Sequence, residues 1–256
     1  MRLIWAVAGN TFRETIRDRI LYNLLFFALA LIGTAWVVSS WSLGQELRVL
    51  KNIGLSVMSL FGLLMAIFIG IGLVYKEIDR RTIYVILSRP MRRWMFLSGK
   101  YIGLQFTLLL NFCIMTLGLH GALTLYGAGV DGPMLIAVGF TFLEMMVMMA
   151  FALLFSAITT PTLSAMFSIA VYIGGHLSTD IMLLGAGIAE DDLFEMIIRG
   201  LHYVIPNLEY FNFRVAIVHQ LPLHTAELWQ ALCYGLAYTA GVLMLAMGIF
   251  ERRNFK

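Results

Sequence analysis

The sequence is poor in charge. Of its 256 residues only 13% are Asp, Glu, Lys or Arg, about half the quarter typical of a soluble domain. A soluble chain of this length would bury one core and cover it with charge, and the charge for that cover is missing. Disorder is excluded for the opposite reason, since 60% of the residues are hydrophobic and disordered segments are apolar-poor. Proline is scarce, with five residues, and the Phe-, Met- and Leu-rich runs do not alternate as the strands of a membrane barrel would. Cysteine is nearly absent. Cys113 and Cys233 both sit in apolar runs, which excludes a disulfide framework and reads as two small hydrophobes. No G-x-x-x-x-G-K-[ST] run occurs; the single Gly-Lys pair, Gly99-Lys100, is followed by Tyr101. No H-E-x-x-H occurs either, which removes the intramembrane metalloprotease of that type.

What is present is hydrophobic length. Mean hydropathy is +0.85, and about 20 apolar residues suffice to cross ~30 Å of hydrocarbon. Six stretches qualify, at 21–41, 53–74, 101–125, 134–158, 162–185 and 228–250. The fourth and fifth are parted only by Thr159-Thr160-Pro161, a polar turn with a helix breaker. The expected fold class is therefore all-α: one polytopic membrane domain of six transmembrane helices over 1–256. The amino terminus does not read as a cleavable signal, because its apolar run follows Arg13, Arg17 and Arg19 and is long enough to span. Neither a solenoid repeat nor an inverted repeat is visible.

Net charge is +3, but its placement matters more. With six spans, 14 Lys and Arg fall on the side of both termini and 4 on the other, namely Arg48, Lys51, Arg199 and Arg214. The positive-inside rule then puts both termini in the cytoplasm. The expected location is the inner membrane.

Three features lie outside the spans. Residues 3–19 form an amphipathic helix, with Ile4, Trp5, Ala8, Phe12 and Ile16 on one face and Asn10, Arg13, Glu14, Arg17 and Asp18 opposite. It is expected to lie along the membrane surface. Residues 75–100 form a basic cytoplasmic loop broken at Pro90. On charge alone it is a topogenic loop touching headgroups. Residues 186–227 are too short to span and too apolar to float free, so they re-enter or lie on the outer leaflet.

Some polar residues fall in or beside spans. Glu144 lies near the middle of the fourth. A carboxylate there costs ~2.5–3.5 kcal/mol on insertion scales and should face protein or water. It is either a pathway group or a packing glutamate, and no Lys or Arg within a span is at hand to pair with it. His176 and Asp180, one turn apart in the fifth span, share a face. His219 and His224 are five apart and lack accompanying Cys or Asp at ligand spacing, so no metal site is expected. The Met145-Met146-x-Met148-Met149 cluster points around its helix and reads as packing. Gly62, Ala66 and Gly70, Ser164 and Ser168, and Ala170 and Gly174 mark faces for close helix contact.

The loop reads Glu77-x-x-x-Arg81-Thr82, then Leu87-Ser88-x-Pro90, Arg93 and Gly99-Lys100. Before it stands Asn10-Thr11-Phe12-Arg13-Glu14. After it come Ser156…Thr160-Pro161-x-x-Ser164-Ala165, Tyr172…Gly175-His176-Leu177-Ser178, and Ile205-Pro206-Asn207 with Tyr210-Phe211-Asn212-Phe213. In that order on a six-span frame, these runs resemble ABC-2 type transporter permeases. The branch they are most similar to is the one grouped with multicopper enzyme and nitrous-oxide reductase maturation.

The resemblance implies a non-enzymatic permease subunit, exporting as a dimer of two permease copies on two cytoplasmic ATPase subunits. ATP and Mg would be held by that partner, and this chain would bind no cofactor and no nucleic acid. It implies that 75–100 is the coupling segment, through Glu77, Arg80, Arg81, Thr82, Pro90, Arg92 and Arg93. Phe12, Arg13 and Arg17 would mark the surface helix. Glu144, His176, Asp180, Pro206, Asn207 and Phe211 would mark the pathway or outer gate. The alternatives are an ATPase-driven scaffold acting on a periplasmic protein and a proton-coupled secondary transporter using Glu144. The substrate does not follow from the resemblance.

Overall fold

The computed structural model describes residues 2–42, 44–79, 93–129, 131–188 and 205–252, apart from the side chains of 73–79 and 179–188. In chain order the elements are α1 (Arg2–Ile16), α2 (Arg19–Ser39), α3 (Glu46–Asp79), α4 (Arg93–Thr124), α5 (Gly132–Ile158) and α6 (Pro161–Ile188). A 3₁₀ turn (Leu208–Phe211), the short α7 (Arg214–Val218) and α8 (Thr225–Arg252) follow. No strand occurs among the described residues.

Five of these helices, α2, α3, α4, α5 and α8, are long and apolar enough to cross a membrane. The expected fifth span, 162–185, lies in α6, which is 28 residues long but is not one of these five. Helix bounds also differ from the hydropathy limits. α3 starts at Glu46 rather than 53 and ends at Asp79 rather than 74. α4 starts at Arg93 rather than 101. Charged residues such as Glu, Lys and Arg are good helix formers, so backbone hydrogen bonding continues past the apolar limit. Helix therefore enters the 75–100 segment from both sides, and 80–92 lies outside the described residues.

Local signals set the breaks. Asp18 caps α2 by accepting from the Ile20 N–H at 3.0 Å. Asp131 precedes α5, with a proline in its first turn. Between α5 and α6 the Thr159 N–H donates to the Phe155 carbonyl at 2.8 Å. The hydroxyls of Thr159 and Ser164 meet at 2.8 Å, so the turn at Pro161 is closed on both sides.

α3 and α5 form the centre, flanked by α4. Met58, Met65, Ala66, Leu104, Leu108, Met115, Met145, Met148 and Met149 are buried there. Between helices in lipid there is no hydrophobic drive, so shape and close approach do the work. The small face of α3 serves this end: a Cβ on Gly62 would meet Phe112, and one on Gly70 would meet Ala152. That face is thus used within the chain. On the outside, Phe26, Phe27, Phe167, Ile173, Met244 and Leu245 are exposed on α2, α6 and α8, as a lipid-facing surface requires.

α1 packs on the bundle through a face of small residues. Its buried residues are Ala8, Thr11 and Thr15, while Trp5 is 60% exposed. The cause is on α4. Gly99 and Gly103 face α1 so closely that a Cβ on Gly103 would stand 2.5 Å from the Ala8 carbonyl oxygen. Only small side chains fit that seam, so the face with Ala8, Thr11 and Thr15 turns inward. Thr15 satisfies its hydroxyl on the Thr11 carbonyl at 2.8 Å.

The bundle has two distinct ends. One holds α1 and both described chain ends, and there Arg93 at the start of α4 donates to the Phe250 and Glu251 carbonyls at 3.3 and 3.1 Å. At the other, Lys51 of α3 pairs with Asp131 before α5. The Tyr126 hydroxyl there donates to the Trp36 carbonyl at 2.9 Å.

Candidate functional site

Three helices each offer one turn to a common space. Leu55 and Ser59 of α3, Thr141 and Glu144 of α5, and Tyr172 and His176 of α6 are spaced three or four residues apart, so each pair shares a helix face. Glu209, Phe211, Asn212 and Arg214 of the 205–218 segment complete the lining. The cavity so formed measures about 310 Å³. Glu144 is twelve residues into α5, which places it about 18 Å along that helix at 1.5 Å per residue.

The segment that covers the cavity is fixed by a few contacts. Asn207 caps the 3₁₀ turn, its side-chain oxygen accepting from the Glu209 N–H at 3.1 Å. Its own N–H donates to the Tyr234 hydroxyl on α8 at 2.9 Å. Gly175 lets α6 lie against the segment, since a Cβ there would meet the Pro206 carbonyl and Leu208. Leu208 and Phe211 are buried beneath the turn. The described part of this segment, 205–218, is therefore packed against α6 and α8 as it covers the cavity.

The charged groups are arranged in a line. His176 Nε2 stands 3.2 Å from Glu144 Oε1, and His176 Nδ1 stands 3.8 Å from Glu209 Oε2. Side-chain exposure rises along it, from 5% at Glu144 through 27% at His176 to 50% at Glu209. Asn212 Nδ2 donates to the other Glu209 oxygen at 2.9 Å. Arg214 Nη1 donates to Ser56 Oγ on α3 at 2.7 Å. Ser59 and Tyr172 share a hydrogen bond of 3.1 Å, and the Tyr172 ring meets the His176 ring edge-on with centroids 4.6 Å apart.

Glu144 thus lies against an imidazole, a neighbour that the sequence reading did not assign to it. Hydropathy and helical spacing cannot see the contact, because His176 is on another helix and Arg214 reaches the cavity from a segment counted as outside. His176 faces two carboxylates across helices; Asp180 is in α6, and its side chain lies outside the described residues. Pro206, Asn207 and Phe211 do gather at this cavity or in the segment covering it. Glu209, Arg214, Tyr172, Ser59 and Thr141 were not singled out as site residues. Tyr172 alone carried a sequence signal, as part of the Tyr172…His176 run.

The other expected site residues are elsewhere. Arg80, Arg81, Thr82, Pro90 and Arg92 lie outside the described residues, as does the side chain of Glu77. Arg93 is turned toward the end of α8. Phe12 is half-buried, and Arg13 and Arg17 are exposed. No group of three or more His, Cys, Asp or Glu that could hold a metal occurs among the described residues.

A larger groove, about 560 Å³, lies against Phe151, Phe155, Tyr234, Tyr238 and Leu245. It carries no charged group, so chemistry rather than size singles out the Glu144 cavity.

No curated protein matches the chain. The family profile described as ABC-2 family transporter protein matches residues 5–255. That match spans nearly the whole chain and agrees with the multi-pass helical bundle, so this protein belongs to the ABC-2 transporter family, as a membrane component of an ABC transporter.

Proposed function

We propose that the chain is the permease subunit of an ABC-2 exporter, working as a homodimer on two copies of a separate cytoplasmic ATPase. Six spans, with α6 as the fifth, place both termini in the cytoplasm of a cell whose inner membrane holds the protein. The 14-to-4 division of Lys and Arg supports that orientation. The absence of a phosphate-binding Gly-Lys-Ser/Thr run in these residues supports a partner that supplies ATP hydrolysis. The 75–100 segment docks that partner through Glu77, Arg80, Arg81, Thr82, Pro90 and Arg92. α1 connects it to the bundle. The resemblance of its motifs to the multicopper enzyme and nitrous-oxide reductase maturation permeases supports a member of that branch, without fixing the cargo.

The observation that carries the proposal is the cavity itself. A buried carboxylate, an imidazole, a second carboxylate and a guanidinium converge about midway along α5, beneath the 205–218 segment. Charge in a membrane span is expensive and is kept where a pathway needs it. ATP-driven closure of the ATPase pair would tilt the docked helices as rigid bodies. The cavity would then present different faces to cargo in the two states, as driven transport demands.

Purification of the tagged protein in mild detergent tests this. The expected result is a stoichiometric ATPase with a Walker motif, lost when Arg80 and Arg81 are both changed to Glu. A preparation of intact permease with neither a companion ATPase nor ATP hydrolysis would overturn it.

A further inference from the structure

We propose that His176 is a proton-binding site, and that its charged imidazole latches the 205–218 segment over the cavity. The latch stands on the geometry of the chain alone and does not depend on which ATPase drives it.

The argument begins with donors. A neutral imidazole has one N–H, so it can donate to Glu144 or to Glu209 but never to both. The imidazolium has two, on opposite sides of the ring. Here the two nitrogens lie near one carboxylate each, at 3.2 and 3.8 Å, and among the described residues Glu144 Oε1 and His176 Nδ1 are both buried without a hydrogen bond. The three groups belong to α5, α6 and the 3₁₀ turn, so a ring that holds both carboxylates ties the covering segment to two helices. The longer gap is the one to Glu209, the member on the segment.

Charge balance leads to the same place. Among the described residues lining the cavity, the charged groups other than His176 are Glu144, Glu209 and Arg214. α3 contributes only Leu55 and Ser59, and α6 adds the phenol of Tyr172. With both carboxylates ionised against one guanidinium, one negative charge is left over, and a proton on His176 cancels it. Buried charge is tolerated only when paired and hydrogen-bonded. The proton has a way in, because Glu209 is half exposed while Glu144 is enclosed. It travels from solvent to the ring and returns by the same side, with no other bond made or broken. Loss of that proton removes one of the two N–H donors and frees the segment from one of its anchors. Imidazole is the side chain whose ordinary titration falls in the range where such a switch is useful.

The test is cavity access. In a full-length chain with Cys113 and Cys233 changed to Ala, Thr141→Cys reports on the cavity and Leu221→Cys on an exposed position. Both are labelled in nanodiscs with a small neutral methanethiosulfonate, and the ratio of their rates removes the intrinsic pH dependence of thiols. Between about pH 5 and about pH 8, the histidine range, the cavity-to-control ratio should rise. A latch of about 1.4 kcal/mol gives about a tenfold rise. His176→Gln should flatten the ratio. Glu209→Met, at a half-exposed position that leaves the helices untouched, should flatten it at the open value. A flat ratio with His176 in place overturns the proposal. So does a pH dependence that survives His176→Gln, or Glu209→Met should His176→Gln fail to fold.

Discussion

The two ends of the bundle are held in opposite ways. Where the chain termini lie, α1 and α4 meet almost backbone to backbone through Gly99 and Gly103, and Arg93 clasps the last carbonyls of α8. Toward the far end, from about the middle of α5, α3, α5 and α6 part around Glu144, His176, Glu209 and Arg214. In lipid, close packing is what stabilises helix association, while buried charge costs free energy. The first end is built for rigidity. The second gives up stability for chemistry, an asymmetry that accords with the proposed ATPase docking at one end and opening of the cavity at the other.

The comparison is broken most severely at Gly103. Gly103→Leu puts a branched side chain where a Cβ alone would lie 2.7 Å from the Thr11 Cβ, and the obstacle includes backbone, which cannot swing aside. Overpacking of this kind costs about 1–3 kcal/mol or more. The melting temperature in detergent should fall by about 5–10 °C. Gly72→Ala is the control, because a Cβ there meets nothing within 4 Å. It should hold or slightly raise stability, by up to about 1 kcal/mol, through helix propensity. Equal losses in both variants would show that the glycines matter for the helix and not for the seam.

A smaller effect is expected from Arg93→Met. The guanidinium donates to carbonyls left over at the end of α8, and methionine keeps most of its apolar stem. The loss should be about 1 kcal/mol, since the site is only partly buried. Hydrogen exchange should quicken in the last turn of α8 and hardly change around Glu144. Faster exchange throughout the bundle would mean that the two ends are not separable.

The sequence made these two ends unequally legible. Membrane spans are written in hydropathy, so α2, α3, α5 and α8 were visible from apolar length, and the Thr159-Thr160-Pro161 turn from its breaker. Helix limits were less so, because a helix outruns its apolar core when Arg, Lys and Glu follow. The inward face of α1 was not legible for a physical reason: it is chosen by Gly99 and Gly103, about ninety positions on, and not by its own apolar stripe. Glu144 and His176 could be named singly, because an ionisable group in a span stands out. Their meeting could not, since it depends on how α5 and α6 pack. Glu209 and Arg214 look like ordinary loop charges until the segment is seen packed against α6 and α8.

The sharpest test is the smallest effect, at Glu144. If the charged cluster were a structural keystone, Glu144→Gln would behave like Gly103→Leu. The two-ended picture expects otherwise. Glutamine has the size of glutamate, its amide can occupy the same place beside His176 Nε2, and it removes a charge that is expensive to bury. Stability should change by less than about 1 kcal/mol in either direction, a shift of a few degrees at most. Cavity labelling at Thr141→Cys should nonetheless lose part of its pH response, because one of the two carboxylates that hold the charged ring is gone. A melting temperature that collapses with Glu144→Gln would make the cluster part of the scaffold. An unchanged melting temperature with altered cavity access would separate what holds this bundle together from what it uses.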